Sequence, residues 1–472
     1  HYIGERIMAI SKITQQGLEG VDATCNNVAF GENALSSVTS GNQNTALGGS
    51  ALSSNTDGIR NTGIGYLAFR DNTSGENNTA VGRSAMLSNT TGNYNSAVGS
   101  GALDSNTTGS NNVSLGYQAL QSNTTASDNV SIGYQSMYAN TTGTRNAAVG
   151  YQSLDANTTG ADNTALGYLA LSANTTASYN TAVGRSALAA NSNGARNAAL
   201  GYNAGASITS GADNTAIGYN ALDANTTASS NTAVGASALT ANTSGTLNTA
   251  VGAFAAEAVT SGSSNTVMGY EAGKCLTAVS ANTIIGRCAG RNTNSSNNTF
   301  LGTSAGLCVT SGANNTIVGR FNGNESGMNI STSSNNIVLS DGGGNLRLAY
   351  RSSDKTLIYE SAEQGIARHT VLDSFTLANN SDLNLTELEN GAIFIGVYLT
   401  ANGSGAFYLS NYKTNTSLLC DQGNITFNST VGGSSGAISV YKGASSHTMA
   451  IKNLTGSDHA MSISMFGVRA RK

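Results

Sequence analysis

Apolar residues in this chain come in two short touches that return every 17 residues, separated by Gly, Asn, Ser and Thr. The stretch from Asn77 to Gly92, N-N-T-A-V-G-R-S-A-M-L-S-N-T-T-G, sets the pattern. An anchor glycine recurs at Gly31, Gly48, Gly65, Gly82, Gly99, Gly116, Gly133, Gly150 and Gly167 and onward to Gly286. Gly302 follows after a step of 16, and Gly319 after another 17. The residue before the glycine is always apolar, as in Phe30, Leu47, Ile64, Val81 and Met268. Three residues after it stands a small residue, usually Ala, as in Ala51, Ala102 and Ala187. Leu, Met or Phe usually comes next, until Gly273, Gly290 and Gly306 take that place. Four residues before the glycine stands Asn in all 18 repeats.

A fixed short period means one unit stacked on itself. Two apolar touches divided by turn residues predict two short strands and two turns per repeat. No apolar run reaches helical length, and Gly and Asn oppose a helix. The expected fold is therefore all-β, a parallel β-solenoid whose buried positions are the residue before the glycine and the Leu after it. Stacking would align Asn61, Asn78, Asn95, Asn112, Asn129, Asn146 and Asn163 into a file whose amides bond along the axis. Two apolar touches per repeat suit a chain coiled on itself, rising one strand spacing of about 4.8 Å per repeat. Three intertwined chains should show a third touch and rise three times as far.

Composition sharpens this reading. Ordinary usage near 5% predicts about two dozen prolines at this length, and there are none. In a stack each backbone N–H is needed by a neighbouring coil, so proline breaks the ladder almost anywhere. One coil buries too little to offset its own ordering, so contact with further coils and with identical copies is expected.

The repeats occupy residues 27–323, after an N-terminal anchor or leader segment, 1–26. There Met8 opens M-A-I-S-K-I-T like a natural start, and the first seven residues are expected to be translated leader. Between 324 and 361 the period fails. Ile337, Val338 and Leu339, the turn Asp341-Gly342-Gly343-Gly344, and alternating Leu346, Leu348 and Tyr350 predict a hairpin that ends the stack. Residues 362–472 have a different texture, with short strands between Gly/Ser-rich turns, and predict a jelly-roll-like β-sandwich.

Charge and candidate chemistry narrow the function. Charged residues make up 10% and the net charge is −4, which excludes a nucleic-acid partner. No run of 18 apolar residues predicts insertion into a membrane. Of five cysteines, Cys275 and Cys308 share a phase two coils apart, beyond disulfide reach. Buried thiols in a protein assembled in a reducing cytoplasm are expected. His1, His369, His447 and His459 show no metal-ligand spacing, and no cofactor is expected. Asp104, Asp155 and Asp223 share a phase, but 104 and 155 lie three coils apart. They are expected to form a solvated stripe and not a catalytic carboxylate pair, so no enzyme activity is expected. Tyr66, Tyr117, Tyr134, Tyr151, Tyr168, Tyr202, Tyr219 and Tyr270 follow their glycines directly, an aromatic stripe suited to packing between chains or rimming the rod. Receptor contact is expected on the C-terminal domain, where Gly/Ser-rich turns flank Tyr398, Phe407, Tyr408, Tyr412 and Tyr441.

The N-T-A-V-G-x-x-A-L repeat resembles those of bacteriophage and other viral tail fibre proteins. It is also similar to the shorter head repeat of trimeric autotransporter adhesins. The connector N-N-I-V-L-S-D-G-G-G-N-L-R-L, from Asn335 to Leu348, resembles the segment that follows such repeats in phage fibres. The resemblance covers Asn27 to Tyr359. It implies a homotrimer located on the virion, joined at its N-terminal end to other tail proteins. Its C-terminal end would touch a host surface glycan or protein. A bacterial surface adhesin fragment and a polysaccharide-depolymerising tailspike are the alternatives. No self-cleaving chaperone pattern follows the connector. The adhesin form would carry a signal peptide and a C-terminal membrane barrel; with neither pattern read here and an Arg-Ala-Arg-Lys end, the viral fibre is the expected class unless the chain is a fragment.

Overall fold

The computed structural model describes residues 26–353 with their side chains and, beyond them, mainly the backbone of strands between Thr356 and Val468. The N-terminal segment 1–25, with Met8 and Cys25, lies outside the described residues. The chain divides into two units, His1–Ser264 and Asn265–Lys472.

Fourteen three-residue strands, β1 (Val28–Phe30) through β14 (Thr249–Val251), mark the coils of the first unit. Thr62, Gly63 and Ile64 pair in parallel with Thr79, Ala80 and Val81, which sit one period on in the same chain. The same register recurs from Val28 to Val251. The solenoid is therefore coiled on itself, as the two apolar touches per repeat predict.

The coil Asn78–Tyr94 shows why this sequence closes. Thr79 and Val81 point out while Ala80 between them is fully buried. Gly82 then turns the chain at φ 134°, and a Cβ there would stand 2.5 Å from the carbonyl oxygen of Gly99 in the next coil. No other residue fits that approach. Past the glycine the chain does not form the second strand that the pattern predicts. Ser84 and Met86 adopt left-handed φ values of 54° and 51°, and Ala85 and Met86 enter the core. A backbone that alternates hand cannot form a regular strand, yet its N–H groups still bond along the axis. Ser84 donates to Tyr66 O at 2.9 Å, and Met86 donates to Ala102 O at 2.9 Å. With donors committed to both neighbouring coils, the lack of proline follows.

A second correction concerns which apolar touch is inside. Val81, Val149 and Val183, before their glycines, are half-buried on the outer face, and Leu47, Leu115 and Leu200 are 45–49% exposed. The residue one earlier, usually Ala, fills the core instead. A three-residue strand buries only its central side chain.

Two files of asparagine run through the interior. Asn61, Asn78, Asn95, Asn112, Asn129, Asn146 and Asn163 are buried, and each side-chain oxygen accepts the backbone N–H of the next Asn at 2.8–3.1 Å. Each amide also donates to the carbonyl 14 residues on, as Asn112 does to Ala126 O at 2.9 Å. The second file comes from the Asn-Thr-Thr segment. Asn72 donates to Asn55 Oδ1 at 2.6 Å and Asn106 to Asn89 Oδ1 at 2.6 Å. This file is interrupted once, by the buried Ile208, and ends at Asn242, after which the buried Val259 takes its place.

In the second unit β15 (Thr266–Met268), β16 (Thr283–Ile285), β17 (Thr299–Leu301) and β18 (Thr316–Val318) pair in parallel in the same way. The core volume has moved, however. Val267, Ile284, Phe300 and Ile317 replace the central Ala and are fully buried. Gly290 and Gly306 replace the Leu because Phe300 fills that space, its Cδ2 2.9 and 2.7 Å from where their Cβ atoms would be.

The last coil is 21 residues long, and a short hairpin of β19 (Asn324–Glu325) and β20 (Met328–Asn329) takes up the excess. The Asn file still reaches across it, with Asn336 N–H donating to Asn315 Oδ1 at 2.9 Å. β21 (Ile337–Ser340) adds the next parallel rung, and β22 (Leu346–Arg351) turns back antiparallel to it. The turn between them is held by Asp341, which accepts from Gly343 and Asn345 N–H and from Arg347 Nη2. The predicted hairpin thus ends the parallel stack.

Antiparallel β23 (Thr356–Ser361) and β24 (Gly365–Leu377) follow. Then come β25 (Asp382–Leu385), β26 (Ile393–Leu399), β27 (Gly405–Asn411), β28 (Thr414–Gln422), β29 (Ile425–Phe427), β30 (Ile438–Lys442), β31 (Met449–Asn453) and β32 (His459–Val468). β32 pairs with both β24 and β26, and β27 continues from β26 to β28. β31 joins β25 to β30, which pairs in parallel with β29.

Candidate binding surfaces

The tyrosines that follow the anchor glycines form the most ordered outward feature of the first unit. Each stands where the chain leaves its strand, so the coil period sets their spacing. Successive ring centroids of Tyr117, Tyr134, Tyr151 and Tyr168 are 5.4, 5.1 and 5.2 Å apart, with planes 7–15° from parallel. Tyr202 and Tyr219 repeat this at 5.5 Å. Arg185 bridges the two groups, its guanidinium 5.6 Å from the Tyr168 ring and 5.5 Å from that of Tyr202. The ring faces are spent on one another, so what meets solvent is an edge and a hydroxyl, with 40–56% of each of these residues exposed. Beside them, Gln135 donates to Gln118 Oε1 at 2.9 Å and Gln152 to Gln135 Oε1 at 3.2 Å, a second axial ladder.

The strands carry a different outer surface. Leu47, Val98, Leu115, Leu166, Leu200 and Ile217 are 36–49% exposed members of one aliphatic file. The threonine file beside it, with Thr45, Thr62, Thr79 and Thr164, is interrupted by Val113 and Val130.

The expected receptor residues fall on strands. Tyr398 lies on β26, Phe407 and Tyr408 on β27, and Tyr441 on β30. Gly396 pairs with Phe407 and Tyr398 with Gly405, which brings the first three to two neighbouring strands. Tyr441 belongs to the other strand group, opposite Ala450. Tyr412 and the turns at Gly403 and Gly433 lie outside the described residues.

The aspartate stripe is less solvated than expected. Asp104 and Asp155 each bury one carboxylate oxygen with no hydrogen-bond partner. Burial pushes the carboxyls of Asp104, Asp155 and Asp223 above the usual aspartate range. Three coils separate the first two by about 14 Å along the stack, too far for a glycosidase pair. Among the described residues no group of three His, Cys, Asp or Glu is placed to hold a metal ion. No helix there is long and apolar enough to cross a membrane. The expectation of buried thiols fails for Cys275, which is exposed; Cys308 is half-buried and Cys288 buried. The Asn-x-Thr triplets at Asn89, Asn106 and Asn140 resemble glycosylation acceptors, but these side chains are buried in the second Asn file.

The tyrosine stripe is legible in the sequence from phase alone; the glutamine ladder, with the same period, is not singled out there. The second Asn file was not singled out, although its Asn recurs with the same period. Compared with protein-family models, with curated proteins and with solved structures, the chain matches none.

Proposed function

We propose that this chain is the attachment fibre of a virus, a tailed phage, acting as a non-enzymatic homotrimer. In this reading the coils are a stiff spacer, the N-terminal end joins the particle, and the C-terminal β-sandwich meets a host glycan or protein. The observation that carries it is the aliphatic file on the strand face, running with one side chain per coil through the first unit. Contiguous exposed apolar surface of that length favours a partner. A second and third copy have the same coil spacing, so contacts made in one coil repeat in the next. A spacer suits this construction, because adding coils lengthens it without altering the fold of any one. The scattered carboxylates support binding over cleavage.

Two measurements test the reading. Sedimentation equilibrium of the full chain should give three times the monomer mass, and a monomer would overturn the trimer. Purified protein should block particle adsorption to susceptible cells and release no reducing ends from capsule or lipopolysaccharide. Reducing ends would establish the depolymerase instead.

A further inference from the structure

The tyrosine file is an outward-facing feature of the first unit, built separately from the aliphatic file. From Tyr117 to Tyr219 seven consecutive coils present Tyr, Tyr, Tyr, Tyr, Arg, Tyr and Tyr at one position. Nothing within the chain requires this. Elsewhere the same position holds Gly49, Ser100 or Ala236, so the fold accepts small residues there.

Arg185 carries the second clue. It is exposed, it lies between two rings, and its guanidinium makes no hydrogen bond or ion pair among the described residues. Arg145 and Arg196, also exposed, are held by Asp162 and Asp213 in two-bond pairs at 2.6–2.9 Å. Arg185 is thus a charge oriented by aromatic faces and left open to an anion.

The chemistry of the file selects its ligand. Phenol edges offer C–H surface and a hydroxyl at each coil, and the glutamine ladder offers amides alongside. A nucleic acid would bring a phosphate with every residue, and one unpaired cation in seven coils does not match it. A peptide added as a strand needs an unpaired backbone edge, and the N–H groups here are bonded from coil to coil. A chain of pyranose rings fits better. Its residues combine C–H faces with hydroxyls, and one extended sugar is about as long as one coil is high, about 4.8 Å. We propose that the Tyr117–Tyr219 file binds an extended acidic polysaccharide laid along the coil axis, one sugar per coil, with a uronate carboxylate on Arg185.

The probe is a series of alginate oligomers of increasing length, paired with the same oligomers after carboxyl reduction, titrated calorimetrically into the full chain. Affinity for the acidic series should climb with length up to seven sugars and then level off. Arg185→Gln should weaken the acidic series about three- to fivefold, as expected for one exposed ion pair. It should leave the reduced series unchanged. Tyr151→Ser should weaken both series, whereas Tyr94→Ser, an exposed tyrosine outside the file, should weaken neither. Flat length dependence, or equal binding of the two series, overturns the proposal. So does a Tyr151→Ser variant that alters oligomeric mass and not sugar binding, because the file would then be covered by a second copy.

Discussion

The Cδ1 atom of Ile208 lies 2.9 Å from the point that a Cβ on Gly205 would occupy, so these two residues share one space in the core. In most coils of the first unit that space holds Leu, and an Asn of the second file stands where Ile208 is. The exchange has a cost one coil away. Asn191 Oδ1, which would accept from an Asn at 208, is buried with no partner, and Asn242 Oδ1 is orphaned below Val259 in the same way. Either change alone should destabilise: Gly205→Leu by about 1–3 kcal/mol through overpacking, and Ile208→Asn by about 3 kcal/mol or more through the void it leaves. Together they restore the common coil and give Asn191 its donor, so the double variant should be at least as stable as the parent. Urea denaturation of all four proteins measures the coupling, and additive losses would show that the two sites do not share a space.

Asn112 tests the main file. Its Oδ1 accepts Asn129 N–H, and its amide donates to Ala126 O. Asn112→Ala strands both groups in the interior, and should cost about 2–5 kcal/mol. Thr108→Ala, at an exposed residue outside the left-handed set, should cost under about 0.5 kcal/mol. Thermal unfolding of the pair decides it.

Leu154 sits fully buried at φ 55°. A β-branched side chain is a genuine outlier at that backbone angle. Leu154→Ile, nearly neutral in an ordinary core, should therefore lose about 2 kcal/mol more than Leu154→Met. Equal losses in chemical denaturation would refute the assignment of left-handed backbone to the stability of this position.

Asp155 gives the stack a pH response. Its folded-state carboxyl is pushed above the ordinary value of 3.8 by burial. The folded form therefore holds its proton to higher pH than the unfolded form, and stability falls as pH rises from below 3.8 through the raised value. Asp155→Asn should raise the melting temperature at neutral pH and leave it unchanged in acid. Asp341 has the opposite sign. Hydrogen bonds from Asn345 and Arg347 hold its carboxyl far below the usual range, so its contribution is lost on acidification through that lower value.

How much of this could be read beforehand depends on what a period encodes. Spacing fixed the phase of every glycine and of the first Asn file, and the missing proline fixed the direction of the hydrogen bonds. Spacing could not say which side of a three-residue strand faces inward. Displacing the inward set by one residue exchanges Val81 for Ala80, and both are apolar enough to pass for core. The telling signal was negative. Val and Ile abound before the glycine, yet neither occurs four residues after it, where Leu103, Leu120 and Met137 are held at positive φ. For Tyr398 and its neighbours, alternation along a strand assigns faces only in pairs, so no single aromatic could be placed in or out.

The coil that stretches to 21 residues shows where this architecture tolerates change. Its extra residues leave through the hairpin at Asn324–Asn329 and return to an Asn file in register. The anchor position has no such latitude, because each glycine there lies against the backbone of the next. Inheritance should then act on the two sites differently. Genes for such chains would gain or lose length as whole coils by unequal recombination between near-identical segments, while small insertions persist only at the polar corner. Length would vary in steps, and reach would be tuned without any new interior having to be invented.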